Sequence, residues 1–426
     1  MNLATVLMLA CLARSHENTN DIRFDPACFA QLGEGDALPH AFDCIAGHGL
    51  RLRAQASIND AQHFRFEHAS EPARDASLLL RDGRLSGIFT HLGDARTQLT
   101  GLEHGLTRTR FEDATKDLPC SMREFTMPPH DDGALAADPC DDGSHIDLLV
   151  VYTSAALTQA GGLDQLNDAI LWAVADNNAT FVASLISLEL RLVDTALVAG
   201  YLEDPSDIAT DLARLREPND GVMDEIHALR NSSGADLVAL VRADGAGSCG
   251  ISMIGGSSGA TSEFAFSVTM LGCFASRTFT HELGHNLGCC HAPGDGGGCL
   301  NGAVFPYSTG HRFFGTNGTQ YRTVMAYAPG TRIGHFSSPR VAVQGTASGI
   351  VDERDNARSI NQTRFVVSNY RCAVCPSDFD EDGSTNAGDL SILLSAWGTA
   401  AADLDSDHRT LASDLAILLS NWGACP

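Results

Sequence analysis

Residues 281 to 291 read His-Glu-Leu-Gly-His-Asn-Leu-Gly-Cys-Cys-His. On a helix, His281 and His285 stand one turn apart on the same face, so two imidazoles reach one metal ion. Glu282 sits beside the first of them, where a carboxylate can take a proton from metal-bound water. Gly288 ends the helix in a positive-φ conformation that glycine adopts without steric cost. The turn then returns His291 as a third nitrogen ligand. Three protein ligands leave one tetrahedral position open, the arrangement of catalytic rather than structural zinc. Zinc there lowers the pKa of its water to roughly 7 and polarises a carbonyl. Glu282 would accept the proton as general base and pass it to a leaving amine as general acid.

The elements that position these residues follow from patterning. Ile146 to Tyr152 is a continuous apolar run, as a buried central strand requires. Leu163 to Leu185 has helical periodicity ending near Ser184, and Leu188 to Val193 alternates as a second strand. Residues 207–216 and 222–230 read as helices, Leu237 to Arg242 as a third buried strand, and Phe264 to Leu271 as a fourth. The active helix, 277–288, would bury Phe279, Leu283 and Leu287. Strands alternating with helices predict an α/β (α+β) domain with a twisted mixed sheet packed by helices.

A chain of 426 residues predicts two or three domains. A formal charge of −25 with no basic stripe excludes nucleic acid as a partner. Residues 1–13 are mostly apolar, too short to span a bilayer, and read as a secretory signal peptide; no later segment reads as a membrane span. Export would place the protein outside the cell or on its surface. Of thirteen cysteines, Cys11 leaves with the signal, and twelve remain for disulfides. Cys28 with Cys44, Cys120 with Cys140, Cys249 with Cys273, and Cys375 with Cys425 are close or bracketing pairs. The adjacent Cys289 and Cys290 lie inside the metal motif, where one could staple the turn, through Cys299, to a loop. Residues 14–143 form a β-rich segment with strands such as Arg84 to Thr90, ending in a linker rich in Asp, Gly and Pro over 131–144. His311 and His335 lack ligand spacing and read as loop or strand residues.

Downstream of the histidines lies Thr323-Val-Met325-Ala-Tyr327, a methionine turn with a tyrosine two residues on. With it, the chain resembles the metzincin metalloproteases. Ile146 to Thr153, Asp211 to Arg216, Asp220 to Arg230, Phe264 to Ser267 and Phe336 to Pro339 resemble the bacterial reprolysin-like members. The resemblance covers 144–371 and implies an endopeptidase acting on proteins or peptides. It implies zinc on His281, His285 and His291, Glu282 as the catalytic base, and Met325 as a hydrophobic floor under the metal. Tyr327 matches the tyrosine that in some metzincins binds zinc or steadies the oxyanion; a packed tyrosine is the other reading. Ala292 departs from the Asp that relatives often carry after the third ligand, which would loosen support of the turn. The resemblance also implies a pro-segment covering the cleft, with Cys120 either a thiolate on the metal or the disulfide partner of Cys140.

Residues 372–426 contain a repeat: Asp389-Leu-Ser-Ile-Leu-Leu-Ser-Ala-Trp-Gly398 recurs as Asp414-Leu-Ala-Ile-Leu-Leu-Ser-Asn-Trp-Gly423. Asp378, Asp380, Asp382, Ser384 and Asp389 have EF-hand-like calcium spacing; Asp403, Asp405, Asp407 and Asp414 repeat it, with His408 and Leu411 weakening the second site. The pair resembles a type I dockerin, which implies a small all-α EF-hand-like module binding one or two Ca2+ and a cohesin-like or cell-surface partner. Trp397 and Trp422, with the Leu/Ile runs, would form its core. The competing reading of the whole chain is a catalytically inactive metzincin scaffold that binds through this tail; the intact His281, Glu282, His285 and His291 speak against it.

Overall fold

The computed structural model describes residues 21–23, 26–29, 31–38, 50–68, 70–91, 96–102, 106–112, 141–245, 247–255, 262–296, 303–372, 375, 377–380, 384–399, 401–404 and 409–424. The first unit is an antiparallel sheet of strands β1 (Asp21–Arg23), β2 (Leu50–Ile58), β3 (Ala61–His68), β4 (Glu71–Arg81), β5 (Arg84–Thr90), β6 (Arg96–Leu102) and β7 (Leu106–Glu112). Their order is β1-β7-β6-β5-β4-β3-β2, a meander from β2 onward with β1 added at the far edge. Alternation sorts its side chains onto two faces. Phe64, Phe66, Ala76, Leu78 and Phe89 fill one buried core with Phe29 and Leu38. Ala61, Leu79 and Ile88 join the core of the next domain instead.

That domain is built on a five-stranded sheet of order β11-β12-β10-β8-β9. Its strands are β8 (His145–Tyr152), β9 (Glu189–Leu197), β10 (Leu237–Arg242), β11 (Gly250–Ser252) and β12 (Phe266–Met270). All neighbours are parallel except β11, which runs antiparallel to β12 at the edge. The continuous apolar runs of β8 and β10 are buried because helices cover the sheet. The helices are α1 (Ser154–Ala160), α2 (Leu163–Ala183), α3 (Ile208–Arg216), α4 (Asp224–Ser232), α5 (Thr278–Asn286) and α6 (Asn356–Val367). Thr153 caps α1 through a bond from the Ala156 amide, and Asp207 caps α3 through Ala209. The predicted strand at 264–271 is shorter, because Ser262–Phe264 forms a 3-10 turn before β12.

Helix α2 is the meeting surface of the two units. Arg84 and Arg81 of the first sheet ion-pair with buried Asp168, and the Trp172 indole donates to the Ser77 carbonyl at 2.8 Å. Deeper in, Arg277 donates to Asp75 at 2.7 Å and to Asp176 at 2.9 Å, while Arg65 lies 3.1 Å from Asp75 and 3.7 Å from Asp176. Burial alone would raise the Asp176 carboxyl; Arg277 and Arg65 override it and hold it at about 2. The described part of the N-terminal segment thus rests on α2. Cys120 and residues 131–140 of the linker, on which the cleft-covering expectation turns, lie outside the described residues.

The C-terminal module has α7 (Ala387–Ser395) and α8 (Ala412–Ser420) packed through Leu393, Ala396, Ala402 and Leu418. It departs from the expectation in two ways. A two-residue strand pair, Ser384–Thr385 with Gly423–Ala424, joins its ends, so it is not all-α. Trp397 and Trp422 are 45% and 48% exposed, so the core closes without them, on Leu393, Ala396, Ala402 and Leu418 with Phe379 packed against it. Among the described residues no helix is long and apolar enough to cross a membrane.

Candidate active site

The predicted active helix is α5, with Arg277 as its N-cap. Phe279, Leu283 and Leu287 are buried as expected and anchor the helix on the sheet. Asn286 adds a polar anchor: its side-chain amide donates to the carbonyls of Met253, Phe264 and Phe266. Gly288 has φ +86, and a Cβ there would meet Val304 at 2.5 Å. Both facts explain why the turn after the helix requires glycine.

The turn brings the three histidines together. His291 Nε2 lies 3.1 Å from His281 Nε2 and 3.0 Å from His285 Nε2. Their outer nitrogens face backbone carbonyls: His281 Nδ1 bonds to Val324 at 2.9 Å, His285 Nδ1 to Cys289 at 2.8 Å, and His291 Nδ1 to Gly296 at 3.3 Å. A carbonyl oxygen only accepts, so each Nδ1 carries the proton and each Nε2 presents a lone pair to the common centre. Burial pushes His281 well below its ordinary value, with its two neighbours adding to the effect. Burial likewise brings His285 to about 3 and His291 to about 4. The neutral imidazole that results is the ligand form. Three neutral, buried, convergent nitrogens fit a zinc ion.

Glu282 is fully buried beside this centre. A Cβ on Gly250 would fall 2.4 Å from its Oε1, so the bare backbone of edge strand β11 is what admits the carboxylate. Met325 is also fully buried, and a Cβ on Gly284 would meet its Sδ at 2.6 Å. The methionine therefore lies against α5 at the one residue between the first two histidines that has no side chain. The preceding residue, Val324, supplies the carbonyl that orients His281. Tyr327 places its ring 4.3 Å from that of His291 and 5.9 Å from that of His281, centroid to centroid.

The support expected to be lost at Ala292 comes from a residue that spacing did not reveal. Asp295 accepts from the Tyr327 amide at 2.9 Å and ion-pairs with Arg312. Arg312 in turn donates to the Tyr327 carbonyl at 3.0 Å. The two side chains tie the loop after the third ligand to the methionine turn. Cys290 and Cys375 are disulfide-bonded, and Cys289 is a buried free thiol. Cys249 and Cys273 form the expected disulfide. His311 and His335 stand outside the histidine cluster.

In the C-terminal module, Asp378, Asp380 and Asp389 bring carboxylate oxygens within 4.8 Å of one another. Asp389 also accepts from the amides of Phe379, Asp380 and Asn386, and Asp414 accepts equivalently from Leu404 and Leu411. Ser384 is in the short strand pair, and Asp403 is described without a completed cluster. Asp382, Asp405 and Asp407 lie outside the described residues.

Residues 142–337 match Reprolysin_5, metallo-peptidase family M12. A peptidyl-Asp metalloendopeptidase of Stenotrophomonas maltophilia is 30% identical over 234 residues, covering 53% of this chain and 52% of the relative. Those named alike from Xanthomonas campestris and Pseudomonas aeruginosa are 32% and 28% identical, covering 59% and 54% of this chain and 57% and 41% of their own lengths. The chain thus spans about half the length of these curated relatives. Residues 142–337, which match the metallo-peptidase family M12, contain the three converging histidines.

Proposed function

We propose that the chain is an exported zinc endopeptidase that hydrolyses peptidyl-Asp bonds in proteins, with His281, His285 and His291 holding the metal. The observation that carries this reading is the convergence of three proton-free Nε2 atoms beside a buried carboxylate. Zinc in that position supplies a Lewis acid that activates water near neutral pH and polarises the scissile carbonyl. Glu282, walled in by Gly250, takes a proton from the attacking water and delivers it to the leaving nitrogen. Tyr327, held by Asp295 and Arg312, steadies the charge that develops on the carbonyl oxygen. Met325 fixes the relation between α5 and the methionine turn by packing at Gly284. The peptidyl-Asp preference is taken from the names of the relatives.

The clustered carboxylates of Asp378, Asp380 and Asp389 support calcium binding by the C-terminal module. The repeat's dockerin-like pattern supports tethering to a cohesin-like partner. Casein cleavage tests the enzymatic reading: activity lost on chelation and restored by zinc is expected, and cleavage insensitive to chelator overturns it.

A further inference from the structure

Helix α2 carries a run of residues that needs cover on every side. Ile170 to Asn177 are buried without a break, a stretch longer than two helical turns, so no face of the helix meets solvent there. Strand β9 and helices α1 and α5 pack against part of α2, and strands β2 to β6 of the N-terminal sheet pack against the rest. Ala61, Leu79 and Ile88 of that sheet belong to the same apolar core as Leu171 and Trp172. An interface that continues a domain core is the kind found in permanent assemblies; detachable ones are smaller and more polar. Parting the two units would also strip buried Asp168 of Arg81 and Arg84, and the Trp172 indole of the Ser77 carbonyl.

Two side chains of the sheet reach past α2 toward the metal-binding residues. Asp75 of β4 accepts from Arg277, the N-cap of α5, at 2.7 Å. Arg277 has φ +58, a left-handed conformation that a non-glycine residue keeps only where its surroundings hold it. Arg65 of β3 lies against the backbone of Gly334, where a Cβ would meet its guanidinium at 2.5 Å. The carbonyl of the next residue, His335, accepts from the Val324 amide at 2.9 Å, and the Val324 carbonyl accepts from His281 Nδ1 at 2.9 Å. A continuous series of contacts thus runs from Arg65 to the first histidine.

We propose that the N-terminal sheet is a permanent partner of the histidine-bearing domain, held on α2 even when the chain between them is cut. Asp75 and Arg65 are then positioning residues for the active helix and for the segment behind the methionine turn. The positioning role rests on the endopeptidase reading above; retention of the sheet rests on the interface alone.

The test inserts the recognition sequence of a site-specific protease between Thr115 and Lys116 of the full chain. This point lies before Cys120, so a Cys120–Cys140 disulfide would stay within the C-terminal piece. After cutting, the two pieces are expected to co-elute in gel filtration at high salt and to hydrolyse casein at least as fast as the uncut chain. In the cut, zinc-loaded protein, Arg65→Met is expected to lower kcat by about 10- to 100-fold with KM and zinc per chain unchanged, the scale of a small misplacement of reacting groups. Arg65→Lys, which keeps a cation between Asp75 and Asp176, is expected to lower it less. A sheet that elutes apart from an active C-terminal piece overturns the proposal and makes the segment a releasable one. Co-elution with Arg65→Met as active as wild type overturns the positioning role. Co-elution without casein cleavage by the zinc-loaded protein overturns the endopeptidase reading and leaves the retained sheet standing.

Discussion

Replacing Asp75 with alanine should weaken the first turn of the active helix, although Asp75 belongs to the N-terminal sheet. Asp75 accepts from Arg277 at 2.7 Å and from Arg65 at 3.1 Å, and Asp176 opposes the same two arginines. All four side chains are no more than 5% exposed, and their charges sum to zero. Removing one carboxylate leaves Arg277 with Asp176 alone and Arg65 with Asp176 and the part-exposed Glu67, which costs about 3–5 kcal/mol. Arg277 is the N-cap of α5, so the loss is felt one residue before the helix starts. At ~1.4 kcal/mol per factor of ten, amide exchange at 278–281 should speed up about 10²- to 4 × 10³-fold. Hydrogen exchange read by mass spectrometry measures this. Asp75→Leu combined with Arg65→Met removes a cation along with the anion and should recover most of the loss. Exchange within threefold of wild type in Asp75→Ala would refute the claim that this cluster couples the two units.

Three further outcomes follow from the site. Asp295→Ala removes the acceptor for the Tyr327 amide and strands Arg312, so the melting temperature should fall and zinc affinity should weaken by about 10- to 100-fold, the usual effect of losing an outer-shell partner; a competitive chelator titration measures it. Tyr327→Phe should lower kcat by up to about 10²-fold with KM and zinc content unchanged; steady-state kinetics would show no change if the ring only packs. His63, hydrogen-bonded to Ser77 at 2.8 Å, is pushed by burial from 6.5 to about 4, with Arg65 and Arg277 adding to the shift and Asp176 opposing it. Between those two values the unfolded chain binds a proton that the folded chain does not. Stability should therefore fall as pH drops through this window, by roughly 3 kcal/mol in total, and His63→Gln should flatten the slope in urea titrations at pH 4 to 7.

The part of the site legible in the sequence is the part that is local in the chain. His281, Glu282, His285, Gly288 and His291 lie within eleven consecutive residues, so helical spacing and one glycine turn were enough to bring them together. Strands β8 and β10 were legible because a doubly covered strand must be apolar throughout. The supporting contacts were not legible, because nothing in residue spacing marks a pair such as Arg277 and Asp75, separated by 202 positions. Asp168 and Asp176 contact Arg84 and Arg65 of the N-terminal sheet, and nothing in the sequence around α2 marks these two aspartates as buried. Asp295 lies four residues past the third ligand in a polar loop, where an acidic residue carries no signal by itself. Trp397 and Trp422 were misread because aromatic residues beside Leu/Ile runs usually pack, whereas here the aliphatic positions close the small core without them.

The central claim is that three histidines hold zinc while Glu282 moves the proton. The most direct measurement takes wild type and Glu282→Gln, determines zinc per chain by mass spectrometry, and measures hydrolysis of one Asp-containing peptide. One zinc per chain in both proteins is expected, with kcat lowered about 10²- to 10⁴-fold in the variant. A wild type that binds no zinc, or a zinc-loaded Glu282→Gln that hydrolyses the peptide at the wild-type rate, would contradict the account.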